Sequence, residues 1–293
     1  MKELRVVKWH ELSNLEHLAD GAMCSCFKAE LDGETVVIKK PRKKSLETKQ
    51  EIEREVYIEE TLLQELDHPN IIKLLGKGRV NKSPFLVLEY LAGGTLRDML
   101  KERCRNIADG KGLRRLNPLH SRAKPVPLVE DLGWALELAQ ALHYMHDVAA
   151  PEYSYLCRDV KPENVGFTAD GTLKLFDFGL AKRVKRSGTN VNCRESYVMT
   201  SQTGTVRYMA PEAFLGHHYN NKVDVYAWAH VVAEGLSLVT PYANMTVSTF
   251  HCLVALGSLR PKLSRRWPKA LRDLLQRSWD VNPDKRPSFA EVI

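Results

Sequence analysis

Residues whose types and spacing suit phosphoryl transfer lie in two short segments, 157–164 and 177–179. In the first segment, Asp159 precedes Lys161 by two residues and Asn164 by five. A carboxylate can accept a proton, an ammonium group can neutralise a phosphoryl group, and a carboxamide can hold a metal ion. The second segment reads Asp-Phe-Gly and begins at Asp177. Two oxygen ligands on neighbouring loops suit a Mg²⁺–nucleotide complex, which the sequence therefore predicts as the reactant.

The elements on either side of these segments can hold them in place. Apolar residues recur at helical spacing over residues 128–147, which predicts a helix leading into the first segment. Pro162 disfavours helical backbone at Lys161, so the first segment is predicted to be a loop. The run 172–176 predicts a strand that ends directly before Asp177.

The amino-terminal part of the chain has the pattern of an antiparallel sheet. Asp32-Gly33 predicts a tight hairpin turn, and the β-branched run 34–39 predicts the strand that follows it. Residues 71–75 and 84–90 are predicted to form two further strands.

Lys39, at the end of one predicted strand, needs a carboxylate partner. Residues 50–66 have the apolar spacing of an amphipathic helix, and this helix offers Glu59 and Glu60 as candidates. We favour Glu59, because Leu63 lies one helical turn further on and then faces the same way.

The composition places the chain among globular proteins with a sizeable core. It has 293 residues, 44% of them hydrophobic, and no apolar run approaches the roughly 18 residues of a membrane span. Six scattered cysteines predict reduced thiols in the cytosol or the nucleus. Cys24 and Cys26 could form a metal or redox pair, but two small residues in a turn are the favoured interpretation.

The formal net charge of +7 is concentrated in residues 101–127. This stretch has eight Lys and Arg residues against Glu102 and Asp109, together with several Gly and Pro residues. It is predicted to be a flexible basic insertion between two helices, which either docks an acidic partner or is simply solvated. It lacks interleaved aromatic residues, so nucleic-acid binding is not predicted.

The two chemical segments resemble the catalytic loop and the metal-binding loop of the eukaryotic protein kinases, with Cys157 in place of the usual His. Residues 36–39 are similar to the Val-Ala-Ile-Lys strand of that family, and residues 210–212 repeat its Ala-Pro-Glu motif. The order of motifs is kept over about residues 9–293. The regions around Leu12, 204–212 and 279–289 look most like the tyrosine-kinase-like group of serine/threonine kinases.

The resemblance implies an α+β bilobal fold for one kinase domain spanning residues 1–293. Residues 1–90 would form a small N-terminal lobe with an antiparallel sheet and one main helix. Residues 91–94 would form the hinge, and residues 95–293 a larger, mostly helical lobe containing the activation segment 177–212. The chain stops inside its last predicted helix, so we expect an excised domain or an incomplete end.

The same resemblance implies an ATP- and Mg²⁺-dependent kinase acting on Ser and Thr hydroxyls of protein substrates. Asp159 would accept the hydroxyl proton, Lys161 would steady the γ-phosphate, and Thr205 would tie these two side chains together. Lys39, held by Glu59, would grip the α- and β-phosphates. The metal ligands would be Asn164 and Asp177. Lys161 also favours Ser/Thr specificity, because tyrosine kinases usually have Ala or Arg at that place.

The nucleotide pocket implied by the resemblance departs from the family pattern in two regions. Its residues would be Ala19, Gly21, Cys26, Val37, Lys39, Leu88, Glu89, Leu91 and Gly166. Only Gly21 remains of the glycine pattern, while Ala and Cys fill the other glycine places. Val37 replaces a smaller Ala above the adenine, and Gly166 replaces a larger apolar residue below it. Together they predict an adenine slot of unchanged height that sits lower, closer to residue 166.

The resemblance also implies regulatory and structural residues. Arg158 would bind a phosphorylated residue of the activation loop, and its alternative role is a structural salt bridge. The candidate phosphorylation sites are Ser201 first, then Thr200 and Thr203. The structural set comprises a buried Glu212–Arg286 pair, and Cys157 packed among Phe178, Leu63 and Leu74 over the helix that carries Asp224.

Two other function classes stay open on the sequence. The degenerate glycine loop and Cys157 favour a pseudokinase or scaffold module on the same fold. A small-molecule phosphotransferase of related fold is disfavoured by the Ala-Pro-Glu motif and the long activation loop.

Overall fold

The computed structural model describes residues 4–21, 23–42, 49–108, 128–186 and 205–293. A five-stranded antiparallel sheet forms the amino-terminal part, with the order β1-β2-β3-β5-β4. Its strands are β1 (Ser13–Asp20), β2 (Cys24–Leu31), β3 (Glu34–Pro41), β4 (Leu74–Val80) and β5 (Ser83–Glu89). Helix α1 (Lys49–Glu65) packs on this sheet and buries Val56, Leu62 and Leu63.

Helices dominate the carboxyl-terminal part. They are α2 (Leu96–Ala108), α3 (Leu128–His143), α4 (Pro211–Phe214), α5 (Lys222–Ser237), α6 (Val247–Phe250), α7 (Lys269–Ser278) and α8 (Phe289–Val292). Helix α5 is buried from Val223 to Gly235, so the other elements pack around it. This burial on all sides explains why most residues of α5 are apolar and why its buried acids Asp224 and Glu234 are hydrogen-bonded within the protein.

Two small antiparallel sheets position segments 157–164 and 177–179. One pairs β6 (Tyr153–Leu156) with β9 (Lys182–Lys185), and the other pairs β7 (Val165–Phe167) with β8 (Leu173–Leu175). Segment 157–164 leaves β6 and enters β7, while Asp177 follows β8 by two residues. The two predicted loops therefore lie side by side.

Two predicted starting points are wrong by three residues or more. The strand predicted at 71–75 begins only at Leu74, because Ile71 instead forms an isolated bridge with Leu175 and joins β8 to the amino-terminal part. The basic insertion does not start at residue 101. Helix α2 continues to Ala108, since Lys, Glu and Arg are good helix formers and Leu100 keeps the apolar face buried. Residues 109–127 of the insertion lie outside the described residues.

The α+β fold class is confirmed by the antiparallel sheet and the helical region that follows it. The largest core cluster includes residues from α1, α3, α5 and the catalytic segments, so one core supports both parts. Among the described helices, none has the length and apolarity required to cross a lipid bilayer.

Candidate active site

Asp224 anchors the catalytic loop from below. This fully buried side chain accepts hydrogen bonds from the backbone amides of Cys157 and Arg158, both at 2.8 Å, and contacts His146 Nε2 at 2.8 Å. The loop needs this anchor, because Arg158 has a positive φ of 66°. The result is a fixed backbone directly before Asp159.

The two carboxylate oxygens of Asp159 differ in their hydrogen bonding. Its Oδ2 accepts from Lys161 Nζ at 2.6 Å and from Asn164 Nδ2 at 2.9 Å. Its Oδ1 is buried and has no hydrogen-bond partner among the residues that the structure describes. A buried oxygen without a partner is costly, and such an oxygen marks the place for a missing donor. This oxygen can therefore accept a hydrogen bond from a group that enters the site.

The surroundings of Asp159 make it a better proton acceptor than an ordinary aspartate. Burial raises the pKa of Asp159, and the nearby Asp177 carboxylate adds to that rise, while Lys161 and Asn164 oppose it. A raised pKa brings a carboxylate closer to the range in which a general base works best.

Lys39 lies between two carboxylates. Its Nζ is 2.6 Å from Glu59 Oε2 and 2.7 Å from Asp177 Oδ1. Burial alone would lower the pKa of Lys39, but the charges of Asp177 and Glu59 outweigh it, so the pKa lies well above the ordinary value. Glu60 instead pairs with Lys77 at 2.6 Å. The helix therefore presents Glu59 to Lys39, and the second candidate points elsewhere.

The two predicted metal ligands differ in exposure. The Asp177 side chain is 42% exposed and has a positive φ of 66°, whereas Asn164 is buried. Partial desolvation of the Asp177 carboxylate acts to raise its pKa, but the charge and hydrogen bond of Lys39 outweigh this effect and hold the pKa below the usual range. Asn164 Nδ2 donates to Asp159, so its side-chain oxygen is the atom suited to a cation.

A metal at this site would depend on the nucleotide for further ligands. Within the described ranges, no group of three or more His, Cys, Asp and Glu side chains could hold a metal ion. Mg²⁺ commonly binds through one or two protein oxygens plus phosphate oxygens and water. Asp177 and Asn164 fit that pattern.

The turn between β1 and β2 would cover the phosphates. Gly21 N donates to Cys24 O at 2.8 Å, and Arg42 Nη1 donates to Gly21 O at 2.8 Å. Ala19 pairs with Cys26 across the two strands. Burial raises the pKa of Cys24 to about 12 and that of Cys26 to about 11. Both thiols are therefore protonated at neutral pH, which favours small packing residues over a metal or redox pair.

The predicted adenine region is built from β3, β5 and β7. Val37 on β3 pairs with the buried Leu88 on β5. A Cβ added to Gly166 would lie 2.6 Å from Leu91 Cδ1 and 3.2 Å from Phe176 Cε1. The space that a larger residue at position 166 would take is thus already filled by the hinge side chain Leu91. The lowered adenine slot stays a prediction.

Glu89 ends β5 and uses its side chain within the protein. Its Oε1 accepts from Lys73 N at 2.7 Å and pairs with the buried Lys174 at 3.1 Å. These two contacts fix the start of the hinge. Because they occupy the Glu89 side chain, the hinge backbone is the part that could hydrogen-bond an adenine.

The regulatory residues lie only partly within the described structure. Arg158 Nε donates to Leu180 O at 2.7 Å, and its Nη1 donates to Tyr219 Oη at 2.8 Å. Its binding to a phosphorylated residue stays a prediction. The candidates Ser201, Thr200 and Thr203 lie outside the described residues. Thr205 begins a 3₁₀ helix, Thr205–Tyr208, but its side chain is not among those described.

The structural residues are buried together. Arg286 Nη1 and Nη2 donate to Glu212 Oε1 and Oε2 at 2.6 and 2.9 Å, a bidentate pair. Cys157, Phe178 and Leu63 belong to one core cluster, against which the partly buried Leu74 packs. Burial raises the pKa of Cys157 well above the ordinary value, so this residue is a neutral packing group.

Sequence reasoning missed a polar network around Arg97. Its guanidinium donates to Glu163 at 2.8 Å, to Glu234 at 2.6 Å and to Tyr208 Oη at 2.6 Å. Tyr208 Oη in turn donates to Glu234 at 2.5 Å. The network joins α2, the catalytic loop, the segment before Ala-Pro-Glu and α5. Its members lie far apart in the sequence, so only the fold brings them together.

Comparison with known proteins gives consistent results. The family model described as "Protein kinase domain" matches residues 12–293. The Arabidopsis thaliana "Serine/threonine-protein kinase VIK" is 32% identical over 286 residues, covering 97% of this chain and 59% of that protein. The human "Mitogen-activated protein kinase kinase kinase 7" is 29% identical over 293 residues, covering 98% of this chain and 41% of that protein. The chain thus spans about half the length of the curated relatives it matches.

Proposed function

Since this chain belongs to the protein kinase family, we propose that it transfers the γ-phosphate of ATP to Ser and Thr hydroxyls of protein substrates. The membership confirms the resemblance read from the motifs. The observation that carries the proposal is the buried Asp159 Oδ1, which lacks a partner among the described residues, beside an Oδ2 held by Lys161 and Asn164. That geometry suits the capture of one hydroxyl group.

The protein's own residues position and neutralise the reactants. Asp159 holds the substrate hydroxyl and accepts its proton, and Lys161 places a positive charge beside it. Lys39, braced by Glu59, offers its ammonium group to phosphate oxygens, while Asp177 and Asn164 offer oxygens to Mg²⁺. Bound Mg²⁺-ATP supplies the phosphoryl group and the metal charge that neutralises it.

A relative's name and the position of Lys161 both support specificity for Ser and Thr. The Arabidopsis thaliana relative VIK is named a serine/threonine-protein kinase. Lys161 occupies the place that favours such substrates, and its ammonium group is fixed 2.6 Å from Asp159.

Turnover of Mg²⁺-ATP on a generic basic protein tests the activity. We expect phosphate incorporation on Ser and Thr by the wild-type chain and none by Asp177→Asn, which removes the charge beside Lys39. Incorporation that survives the substitution, or that appears on Tyr alone, contradicts the proposal. A peptide array with the same two proteins then ranks the preferred sequences.

Regulation, partners and location are further parts of the proposal. Phosphorylation of Ser201, Thr200 or Thr203 would order the activation loop through Arg158. Activity that survives alanine at all three positions contradicts this regulation. The basic insertion would dock an acidic partner, and the location would be the cytosol or the nucleus.

A pseudokinase is the second candidate, and the reduced glycine turn favours it. That turn keeps Gly21 alone, and a Cβ there would lie only 3.3 Å from Cys24 O. ATP binding measured by thermal shift, without phosphate transfer to any peptide of the array, would favour this candidate over the enzyme.

A further inference from the structure

A groove runs between α2 and the carboxyl end of α5, and we call it the α2 groove. Arg97, Lys101 and Arg105 line one side of it, while Glu234 and Leu238 line the other. Its volume is about 350 Å³. The three cations are four residues apart, so they form one row along the same face of α2.

The acidic residue of the α2 groove is already neutralised. Glu234 is 2% exposed, and its oxygens accept hydrogen bonds from Arg97, Tyr208 and Thr240. Asp98 and Glu102, the other acids of this helix, do not line the groove. The remaining charge of the α2 groove is therefore positive.

Lys101 and Arg105 carry that positive charge at the surface. Both residues are exposed, and neither forms an ion pair with another residue in the described part of the chain. The floor between them and α5 is apolar, with the buried Leu100 and the half-buried Leu238. A fitting occupant has acidic side chains on either side of an apolar one.

The α2 groove begins beside the catalytic loop. Arg97 bonds Glu163 at 2.8 Å, and Glu163 is four residues from Asp159 in the same loop. Tyr208, two residues before Ala210, completes the contact. A chain that presents its hydroxyl to Asp159 can thus extend into the groove.

We propose that the α2 groove binds an acidic segment of the protein substrate and so selects substrates by a sequence outside the phosphorylated residue. This inference rests on the proposed kinase activity and names the substrate class. Electrostatic complementarity of this kind between exposed groups gives modest affinity and strong dependence on ionic strength.

The test compares two series of Ser peptides. One series carries Glu-Leu-Glu-Glu at increasing distances on either side of the Ser, and the other carries Gln-Leu-Gln-Gln. KM and kcat are measured for the wild type, for Lys101→Glu/Arg105→Glu, and for the control Arg277→Glu/Lys285→Glu. The control residues are also exposed, and they lie outside the groove.

At one spacing, we expect the Glu peptide to have a KM about five-fold lower than its Gln partner for the wild type and the control. The difference should vanish in the Lys101/Arg105 variant and in 1 M salt, where the screening length is only about 3 Å. Equal KM values at every spacing, or equal loss in the control variant, overturn the proposal.

A binding measurement separates this inference from the kinase activity. Fluorescence anisotropy of the labelled Glu peptide, without nucleotide, should show binding to the wild type and weaker binding to the Lys101/Arg105 variant. If no peptide is phosphorylated, the activity fails while anisotropy still reports on the groove. Binding of a single-stranded polynucleotide in place of the Glu peptide would overturn the assignment of the occupant.

Discussion

Replacing Gly166 by Ala tests how the floor of the nucleotide pocket is built. The added Cβ would lie 2.6 Å from Leu91 Cδ1, 3.2 Å from Phe176 Cε1 and 3.3 Å from Gly94 O. The φ of Gly166 is outside the left-handed region, so the backbone itself accepts Ala. Packing alone therefore decides the effect, and Leu91 is the side chain that must move.

Two opposing contributions determine how much Gly166→Ala lowers the free energy of unfolding. Overpacking of a well-packed site costs about 1–3 kcal/mol. The reduced freedom of the unfolded chain offsets about 0.4–1 kcal/mol of this cost. We expect Gly166→Ala to lower the free energy of unfolding by about 1–2 kcal/mol. Leu91→Ala removes the obstacle, so the double variant should lose about 1–2 kcal/mol less than the sum of the single losses.

Urea unfolding followed by tryptophan fluorescence measures these differences. Gly133→Ala is the matched control, because nothing lies within 4 Å of a Cβ at that helical position. It should raise the free energy of unfolding by about 0.5–1 kcal/mol. Additivity of Gly166→Ala and Leu91→Ala within about 0.5 kcal/mol would refute the reasoning, since no shared contact would then exist.

Three further predictions concern charged residues. Glu59→Gln should lower kcat/KM on a Ser peptide by about 100-fold, because Lys39 loses its anchor, whereas Glu60→Gln should change it less than about two-fold; similar losses for both would contradict the pairing. Arg286→Ala should lower the free energy of unfolding in urea by about 3–5 kcal/mol, because it leaves the buried Glu212 charge without a partner; a loss under about 1 kcal/mol argues against a buried ion pair. Asp159→Asn should abolish turnover yet raise the free energy of unfolding at pH 7. Because burial raises the pKa of Asp159 in the folded state, the stabilising proton is lost as pH rises from the ordinary value of 3.8 through the raised value. The advantage of Asn should thus shrink as urea unfolding is repeated at lower pH, and an advantage that grows instead contradicts the sign.

The sequence by itself indicated the candidate catalytic groups and the local elements. Asp159, Lys161 and Asn164 act within one short loop, so their spacing along the chain already fixes which groups can meet. The strand that contains Lys39 and the helix over 50–66 were predictable for the same reason, because periods of two and 3.6 residues are local properties. The predicted helix 50–66 is observed as Lys49–Glu65.

Only the tertiary structure decided which distant side chains touch. Helical spacing and family resemblance favoured Glu59 over Glu60, but the packing of α1 on the sheet shows that Glu59 meets Lys39. Arg97 and Glu234 are 137 residues apart and follow no period that a sequence pattern reveals. A Cβ at position 166 would lie 2.6 Å from Leu91 Cδ1 of the hinge, a contact that the glycine in the sequence does not reveal. Such contacts depend on how whole elements pack against each other, and that arrangement is a property of the folded core rather than of any one segment.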